Sequence, residues 1–363
     1  MRFSKIAVLG LGNIGRLVAR LLHESGFAVT AFDSVTAPGE DGGEQPFTRR
    51  VLDVSSAADL EQALAAGEAV ISCLPYHLNA AVAATAHARG LHYFDLTEDV
   101  TVTQAVRELA ATSKGVMAPQ CGLAPGYIGI IGAHLAARFD SLRAIKLRVG
   151  ALPQNPTGLL GYAFNWSPEG VVNEYLNDCE VIEAGTRKWV SPMEWIETVY
   201  VAGTKLEAFT TSGGLGTMCE TFLGRVDNLD YKTMRYPGHV SLMNFFFHEL
   251  LMRDHRELAG KLLTAAKPPV EDDIVYVHVS AEGEIGGKLQ RQEFVRAYTP
   301  QTIAGKPRTA IAWTTAVSAC AVIELVQAGK LPPSGFIHQE KIGLVDLLST
   351  HSGGLFGEDV AGL

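Results

Sequence analysis

Short apolar runs alternate with segments of helical spacing along the first third of the chain. Residues 6–9 form a continuous apolar run, which is typical of a strand buried on both faces of a parallel sheet. The same alternation predicts further strands at residues 27–32, 47–54, 69–74, 92–96 and 116–119, and helices at residues 14–22, 57–66, 80–89 and 102–111. Strands that alternate with helices of this length indicate an α/β fold built on a doubly wound parallel sheet.

The pattern changes after Pro125, where alternating apolar and polar residues predict a second, α+β domain on a mixed or antiparallel sheet. Its strands are predicted at residues 143–152, 180–182, 197–201, 206–211, 231–235, 274–281 and 293–299, and its helices at residues 168–176 and 239–253. We therefore expect a first domain at 1–124 and a second at 125–308. A long amphipathic helix near 309–330 is expected to pack back on the first domain, and the glycine-rich residues 346–363 to form a loosely held tail.

Composition excludes several classes of protein. The 363 residues carry a net charge of −9, which argues against nucleic-acid binding, and we expect a small-molecule partner instead. No uncharged apolar stretch approaches the ~20 residues of a membrane helix, and the N-terminus is predicted to be a strand, not a signal peptide. Five cysteines without CxxC spacing favour buried thiols over disulfides or zinc. We expect a cytoplasmic protein without a metal.

A glycine-rich turn follows the first predicted strand directly and opens the first helix. In the run Gly10-Leu11-Gly12-Asn13-Ile14-Gly15, the first glycine allows a tight turn, the second lets backbone approach a pyrophosphate, and the third allows close packing of helix on strand. The N–H groups at Asn13 and Ile14 point at the phosphates, where the helix dipole favours negative charge. The sequence therefore predicts a dinucleotide site.

An acid closes the second predicted strand. Asp33 lies 18 residues after Gly15, where a carboxylate accepts hydrogen bonds from the adenosine ribose hydroxyls. A 2′-phosphate would meet repulsion there, so the expected cofactor is NAD and not NADP. Asp53, after the third strand, is either an adenine-side contact or an acid near a helix N-cap.

Ligands bind at the carboxyl ends of parallel strands, so the residues there are the candidates for chemistry. Asp95 ends strand five and is either a holder of a substrate ammonium or a helix cap, and His77 is either a general base or an ordinary loop histidine. The other candidates at these strand ends are Leu74, Pro75 and Gly122 for the cofactor, Tyr76 for catalysis and Asn79 for the substrate.

Four segments together resemble the saccharopine dehydrogenase superfamily: VLGLGNIG, SCLPYHLN, PQCGLAPG and GYAFNWSPEGV. The resemblance covers residues 5–330, and residues 207–218 and 228–239 make the chain most similar to the lysine 6-dehydrogenase branch. Saccharopine reductases carry Asn-Arg-Asp-Ser where this chain has Ser212-Gly213-Gly214-Leu215, which favours a substrate with one fewer carboxylate. The resemblance implies a Rossmann domain, a second domain for substrate and dimer contacts, a homodimer, and NAD-linked oxidation at a carbon that bears nitrogen.

A lysine substrate needs two kinds of group from the protein. Its ε-ammonium, with an ordinary pKa of ~10.4, must lose a proton before hydride can leave the adjacent carbon, and His77 or Asp95 is the expected base. The α-carboxylate is expected to bind Arg235, unless that arginine forms a structural ion pair. The remaining substrate candidates are His239, Thr211, Ser212 and Trp166. Each of them has a structural alternative, as part of a turn, as a helix cap or as a buried anchor.

Three functions follow from these patterns. The first is oxidative deamination of the lysine ε-amine to a semialdehyde with release of ammonia. The second is reductive condensation of an amine with a carbonyl compound, as saccharopine and carboxynorspermidine dehydrogenases perform it. The third is a redox sensor that binds NAD without turnover. Measuring NADH formation with lysine and then with saccharopine distinguishes these three functions.

Overall fold

The computed structural model describes residues 3–35 and 46–357, which divide into two compact units. Unit 1 contains the described residues up to Tyr127 and from Ala312 onward, and unit 2 is Ile128–Ile311. The long helix near the end of the chain thus falls almost wholly in unit 1. Each unit is described below by itself.

Unit 1 is built on a seven-stranded parallel sheet. In chain order its first strands are β1 Lys5–Leu9, β2 Ala28–Asp33, β3 Thr48–Val51, β4 Ala69–Ser72, β5 His92–Asp95 and β6 Val116–Ala118. The helices between them are α1 Asn13–Glu24, α2 Ala57–Leu64, α3 Tyr76–Arg89 and α4 Val100–Ala110. The strand order is β6-β5-β4-β1-β2-β3. The chain places β2 and β3 on one side of β1 and β4 to β6 on the other, so the carboxyl ends of β1 and β4 lie side by side. This confirms the predicted doubly wound fold, whose ligands bind at that edge.

A seventh strand, Gly335–Phe336, pairs with β6. It was not predicted, because a strand of two residues is too short to show a periodic pattern. Helix α3 also begins earlier than predicted, at Tyr76 and not at residue 80. Pro75 stands at its N-cap, where a residue without an N–H costs no hydrogen bond. Tyr76, His77 and Asn79 therefore lie on a helix and not in a loop.

The long helix of unit 1 corrects one expectation. Helix Ala310–Gln327 is long and apolar enough to cross a membrane by length and composition, but 94% of it is buried, as in the core helix of a soluble protein. It is buried all round and not amphipathic. Its polar side chains find partners inside the protein: the Ser318 hydroxyl donates to the Gly122 carbonyl at 2.9 Å, and the Glu324 carboxylate accepts from Ser25 at 2.7 Å.

The expected loose tail is also wrong for its described part, which ends at residue 357. The Ser352 hydroxyl is buried and donates to Glu324 at 2.5 Å. The Phe356 ring stacks on Tyr127 with centroids 4.0 Å apart. A short helix, Leu344–Leu348, precedes these contacts. The glycines permit a compact 3₁₀ turn at Gly353–Phe356, and residues 358–363 lie outside the described part.

Unit 2 is an α+β unit on a mixed sheet of eight strands, and this confirms the predicted class. Its strands are β7 Ser141–Pro153, β8 Cys179–Glu183, β9 Thr186–Val190, β10 Glu197–Val201, β11 Thr204–Thr210, β12 Val226–Arg235, β13 Asp273–Ile285 and β14 Lys288–Tyr298, and a separate hairpin is formed by β15 Gln301–Ile303 and β16 Lys306–Arg308. The main path is β10-β11-β12-β7-β13-β14, in which β12 and β7 run parallel and the other neighbours antiparallel.

The helices of unit 2 are α5 Tyr127–Ala136, whose first residue belongs to unit 1, α6 Pro168–Leu176, α7 Met218–Phe222, α8 His239–Asn244 and α9 Arg256–Ala266. Helix α6 has the predicted bounds because Ser167 caps it and Pro168 opens it. The single helix predicted at 239–253 is broken instead. It continues as a π turn at Phe245–Glu249, and Leu251 has a φ of +56°, which α-helix cannot contain.

Candidate functional site

The glycine turn of unit 1 has the geometry that a dinucleotide requires. Gly10 has a φ of +88°, and a Cβ there would lie 2.8 Å from the Cys73 carbonyl oxygen. A Cβ on Gly15 would lie 1.9 Å from the Gly10 carbonyl oxygen, so helix and strand pack too closely for any side chain. A Cβ on Gly12, in contrast, would meet no atom within 4 Å. The backbone at Gly12 therefore borders open space that a pyrophosphate can occupy.

The N-terminus of α1 leaves its amide groups available to such a ligand. Gly12 is the N-cap in an extended conformation, without a side-chain cap, and the first turn holds no acidic residue. The N–H groups at Asn13 and Ile14 are thus positioned as predicted for an anion. The residues present fit a dinucleotide, which would supply the hydride acceptor of a dehydrogenase.

Asp33 at the end of β2 is fastened to the glycine turn. Its Oδ2 accepts the Leu11 N–H at 2.7 Å and its Oδ1 accepts the Val35 N–H at 3.1 Å. Each carboxylate oxygen has a second lone pair, so the group can still accept from ribose hydroxyls. Asp53 has a local role instead: exposed at the surface, it accepts from the backbone and hydroxyl of Ser55, and these bonds lower its pKa.

Asp95 is a structural acid, which corrects its expected role as base or ammonium holder. Its side chain is completely buried, and it accepts from the Tyr93 hydroxyl at 2.6 Å and from the N–H groups of Thr97 and Gln120 at 2.9 Å each. Burial raises its pKa, while these bonds act in the opposite direction. A carboxylate that holds the ends of β5 and β6 together in this way does not reach a substrate.

Two more residues at the strand ends serve packing. The Asn79 side chain is buried, and its Oδ1 accepts from the Ser72 hydroxyl at 2.6 Å, which ties α3 to β4. Its predicted contact with the substrate stays a prediction. Gly122 is buried as well, and its carbonyl accepts from the Tyr127 N–H at 3.0 Å and from the Ser318 hydroxyl. Its predicted contact with the cofactor stays a prediction.

The remaining candidates after β4 lie at the edge of the sheet. His77 is exposed on the first turn of α3, its ring edge-on to Tyr76 at 6.0 Å. Leu74 is partly buried, and Pro75 is exposed at the helix start. The roles predicted for these four residues remain predictions, and their place at the carboxyl end of β4 is compatible with them.

One ionisable group at this edge was given no specific role from the sequence. Glu98 lies between the end of β5 and the start of α4 and is partly buried. Burial, followed by the neighbouring charges of Asp99 and Asp95, raises its pKa to about 7. The sequence analysis noted no signal for this shift, because the shift depends on how the loop folds over the side chain.

Unit 2 encloses a cation in a cage of aromatic rings. Arg235, at the end of β12, is buried, and its guanidinium lies 4.6 Å from the centroid of the Tyr162 ring. Its Nε donates to the Tyr175 hydroxyl at 2.9 Å and its Nη1 to the Met234 carbonyl at 2.9 Å. The charge of the buried Glu174 carboxylate also acts on the guanidinium. The two hydrogen bonds engage Nε and Nη1 and give Arg235 a fixed orientation.

His239 belongs to the support of that arginine. Its Nδ1 lies 3.0 Å from the Leu160 carbonyl oxygen, which can only accept, so Nδ1 carries the proton. Its Nε2, 3.0 Å from the Tyr175 oxygen, then accepts from that hydroxyl. With both ring nitrogens occupied and the ring buried, His239 neither contacts substrate nor caps α8, whose N-cap is Gly238.

The small-residue loop after β11 contributes one open group. The Thr211 Oγ1 is buried without a hydrogen-bond partner in the described part of the chain, as expected of a ligand contact. Ser212 is not such a contact, because its hydroxyl donates to the Asp178 carbonyl at 2.9 Å. Trp166 is partly buried against the core and donates to the Tyr162 hydroxyl at 3.1 Å, which makes it an anchor of the aromatic cage.

Acid should destabilise unit 2 through His239. Burial, then the charge of Arg235, lowers its pKa to about 3, whereas the unfolded chain binds this proton near pH 6.5. A depressed pKa contributes stability above the unfolded value, and that stability is lost as pH falls toward the folded value, by up to about 1.4 kcal/mol per pH unit. We expect urea unfolding of His239→Gln to depend less on pH between 6.5 and 4 than that of the wild type. Equal pH dependence would contradict the assignment.

Comparisons with known proteins agree with this geometry. A family model described as the saccharopine dehydrogenase NADP binding domain matches residues 6–118, and one described as the saccharopine dehydrogenase C-terminal domain matches residues 122–348. The chain belongs to the saccharopine dehydrogenase family.

Individual relatives are distant. The saccharopine dehydrogenase [NADP(+), L-glutamate-forming] of Pyricularia oryzae is 26% identical over 253 residues, which cover 66% of this chain but only 56% of that protein. The apo saccharopine dehydrogenase (L-Glu forming) of Saccharomyces cerevisiae has a TM-score of 0.73 at 15% identity and covers 98% of both chains. An engineered D-amino acid dehydrogenase bound to NADP+ has a TM-score of 0.51 at 12% identity, covering 98% of this chain and 99% of that one. These structures support the fold.

Proposed function

We propose that the protein oxidises the ε-amine of L-lysine with NAD, releasing ammonia and the 6-semialdehyde, which cyclises with its own α-amine. The observation that carries the choice of substrate is the buried Arg235, whose Nε and Nη1 are engaged by Tyr175 and Met234. We assign the remaining nitrogen, Nη2, to one carboxylate of the substrate, and lysine has one. The dinucleotide, when bound, accepts the hydride from the carbon beside the nitrogen.

The loop after β11 supports a substrate with a single carboxylate. It contains no basic side chain between residues 211 and 218. A Cβ on Gly214 would lie 2.3 Å from the Tyr231 ring, so a side chain there would displace that ring. Saccharopine carries additional carboxylates that need additional donors, and this loop offers no positively charged one.

Asp33 supports NAD, although the matched family model and the named relative refer to NADP. A carboxylate held at the ribose position accepts from both hydroxyls of NAD, whereas the 2′-phosphate of NADP brings like charges together. The hydrogen bond from the Leu11 N–H keeps the Asp33 carboxylate at the turn.

Replacement of this acid should change the preference between cofactors. We expect Asp33→Ser to lower kcat/KM for NAD and raise it for NADP, which shifts their ratio about 100-fold, or ~2.7 kcal/mol. Asp53→Ser is the matched control, because its carboxylate bonds only within its own turn. Steady-state rates with both cofactors measure the effect. An unchanged ratio in Asp33→Ser would remove the argument for NAD.

The second candidate is a saccharopine-type reaction, favoured by the family and by the relative named above. The two are separated by supplying the wild type with NAD or NADP and either L-lysine or saccharopine at alkaline pH. Our proposal predicts reduced cofactor with lysine and none with saccharopine. Turnover of saccharopine alone supports the second candidate, and calorimetric binding of NAD without turnover of any amine supports a sensor.

A further inference from the structure

The hydroxyl of Tyr175 lies between the guanidinium of Arg235 and the ring of His239 in the interior of unit 2. Nε of Arg235 donates to the Tyr175 oxygen at 2.9 Å, and Nε2 of His239 lies 3.0 Å from the same oxygen. All three side chains are buried. They come from three elements, Tyr175 from α6, Arg235 from β12 and His239 from α8. The Tyr175 hydroxyl therefore joins three elements at one point.

The directions of these hydrogen bonds follow from the last acceptor of the chain. The Leu160 carbonyl oxygen can only accept, so Nδ1 of His239, 3.0 Å away, carries the proton and Nε2 is an acceptor. The Tyr175 hydroxyl therefore donates to His239, and its lone pairs accept from Arg235. Burial raises the pKa of this hydroxyl, so it stays protonated. Tyr175 thus acts on Arg235 as an acceptor, and its proton is not available to a substrate.

The rest of the Arg235 side chain is restricted by an aromatic ring and by backbone. The guanidinium lies 4.6 Å from the centroid of the Tyr162 ring, whose hydroxyl accepts from Trp166 at 3.1 Å. Nη1 donates to the Met234 carbonyl at 2.9 Å. Because a guanidinium is planar, bonds at Nε and at Nη1 together fix the direction of Nη2. The bond to Tyr175 is the side-chain hydrogen bond among these restraints.

We propose that Tyr175 is a positioning residue for the substrate: its hydroxyl, held by His239, orients Nη2 of Arg235 toward the carboxylate of the amino acid. This inference rests on the proposed function, because it requires that Arg235 binds that carboxylate. Without the hydroxyl, Nε loses its acceptor, and the guanidinium must be ordered when the substrate binds, which weakens binding. The hydroxyl therefore contributes only to the binding of substrates that carry a carboxylate.

Removal of this hydroxyl tests the role, with L-lysine and 1,5-diaminopentane, which is lysine without its carboxylate, as probes. We expect Tyr175→Phe to raise KM for lysine about 10-fold, with kcat within about threefold of the wild type and KM for NAD unchanged. The affinity for 1,5-diaminopentane, measured as a substrate or as a competitive inhibitor, should not change. Tyr276→Phe is the matched control, because this buried tyrosine of unit 2 bonds Thr204 at 3.0 Å, and its constants should match the wild type.

A double variant separates action through Arg235 from an independent effect. If Tyr175 acts through Arg235, Tyr175→Phe adds nothing to the loss of kcat/KM for lysine that Arg235→Met causes, whereas independent effects would multiply. The phenylalanine ring keeps the edge-on contacts with Phe209 and His239. If Tyr175→Phe is unfolded at the assay temperature, Tyr175→Phe/His239→Leu replaces it, because neither partner of the bond between them is then left unpaired.

The inference is overturned if Tyr175→Phe leaves KM for lysine unchanged, weakens lysine and 1,5-diaminopentane by the same factor, or multiplies the effect of Arg235→Met. A raised KM in Arg235→Met without one in Tyr175→Phe overturns this inference alone and leaves the proposed function standing. If the wild type oxidises saccharopine and not lysine, the proposed substrate fails, and the double-variant comparison is made with saccharopine. Absence of turnover with every amino acid overturns both the proposed function and this inference.

Discussion

Gly12→Ala should fold like the wild type and bind NAD about 100-fold more weakly. The added Cβ meets no atom of the protein within 4 Å, and the backbone at Gly12, with φ −66° and ψ −169°, is extended and open to alanine. The methyl group instead occupies the space that a pyrophosphate needs next to the N–H groups of α1. A 100-fold loss corresponds to ~2.7 kcal/mol of binding free energy. Calorimetric titration with NAD and the thermal unfolding midpoint give the two quantities.

Gly15→Ala is the matched comparison, with the same methyl group three residues further along. Its Cβ would lie 1.9 Å from the Gly10 carbonyl oxygen, so helix α1 must move away from the sheet. We expect this variant to lose stability by about 1–3 kcal/mol as well as cofactor affinity. If Gly12→Ala binds NAD as tightly as the wild type, the glycine turn is not the pyrophosphate site. Equal destabilisation of both variants would show that the space at Gly12 is not open.

Arg235→Met should raise KM for lysine about 100-fold and leave KM for NAD unchanged. Methionine fills much of the same volume inside the cage of Tyr162 and Tyr175 but offers no donor to a carboxylate. Loss of a charged hydrogen-bonding partner costs about 1.5–3 kcal/mol of substrate binding. Steady-state kinetics with each substrate varied in turn separate the two constants.

Arg225→Met is the control for this variant, because Arg225 is an exposed arginine of the same unit, seated over the Phe222 ring. We expect its kinetic constants to match the wild type. The assignment of Arg235 to the substrate carboxylate fails if Arg235→Met changes KM for lysine and for NAD by equal factors. It also fails if the unfolding midpoint falls while KM for lysine stays constant, since Arg235 would then serve only the buried chain of Tyr175 and His239.

Local patterns predicted the parts of this molecule that local interactions determine. The glycine turn, Asp33 and the first six strands of unit 1 follow from local spacing, and the structure contains all of them. The bounds of α6 followed from its cap and its proline. The mixed sheet of unit 2 could be predicted because apolar and polar residues alternate along its strands. The order of those strands in the sheet could not be predicted from that alternation.

Residues whose environment is built by distant segments could not be assigned in the same way. Asp95 ends a strand at the ligand-binding edge, yet the N–H of Gln120, 25 residues later, closes over it. His239 was a plausible ligand until Leu160 and Tyr175 occupied both of its ring nitrogens. The Ala310–Gln327 helix contains hydroxyl side chains and Glu324, which in the sequence look like the polar face of an amphipathic helix. In the structure, Ser318 and Glu324 bond to buried partners instead.

The stoichiometry of the reaction with L-lysine tests the central claim most directly. Purified protein is incubated with NAD and L-lysine at alkaline pH, and NADH, ammonia and semialdehyde are quantified in the same samples over time. The account predicts one ammonia and one semialdehyde for each NADH, with the ammonia derived from a ¹⁵N label at the ε-position. Formation of NADH without ammonia, or release of the label from the α-position, would contradict it.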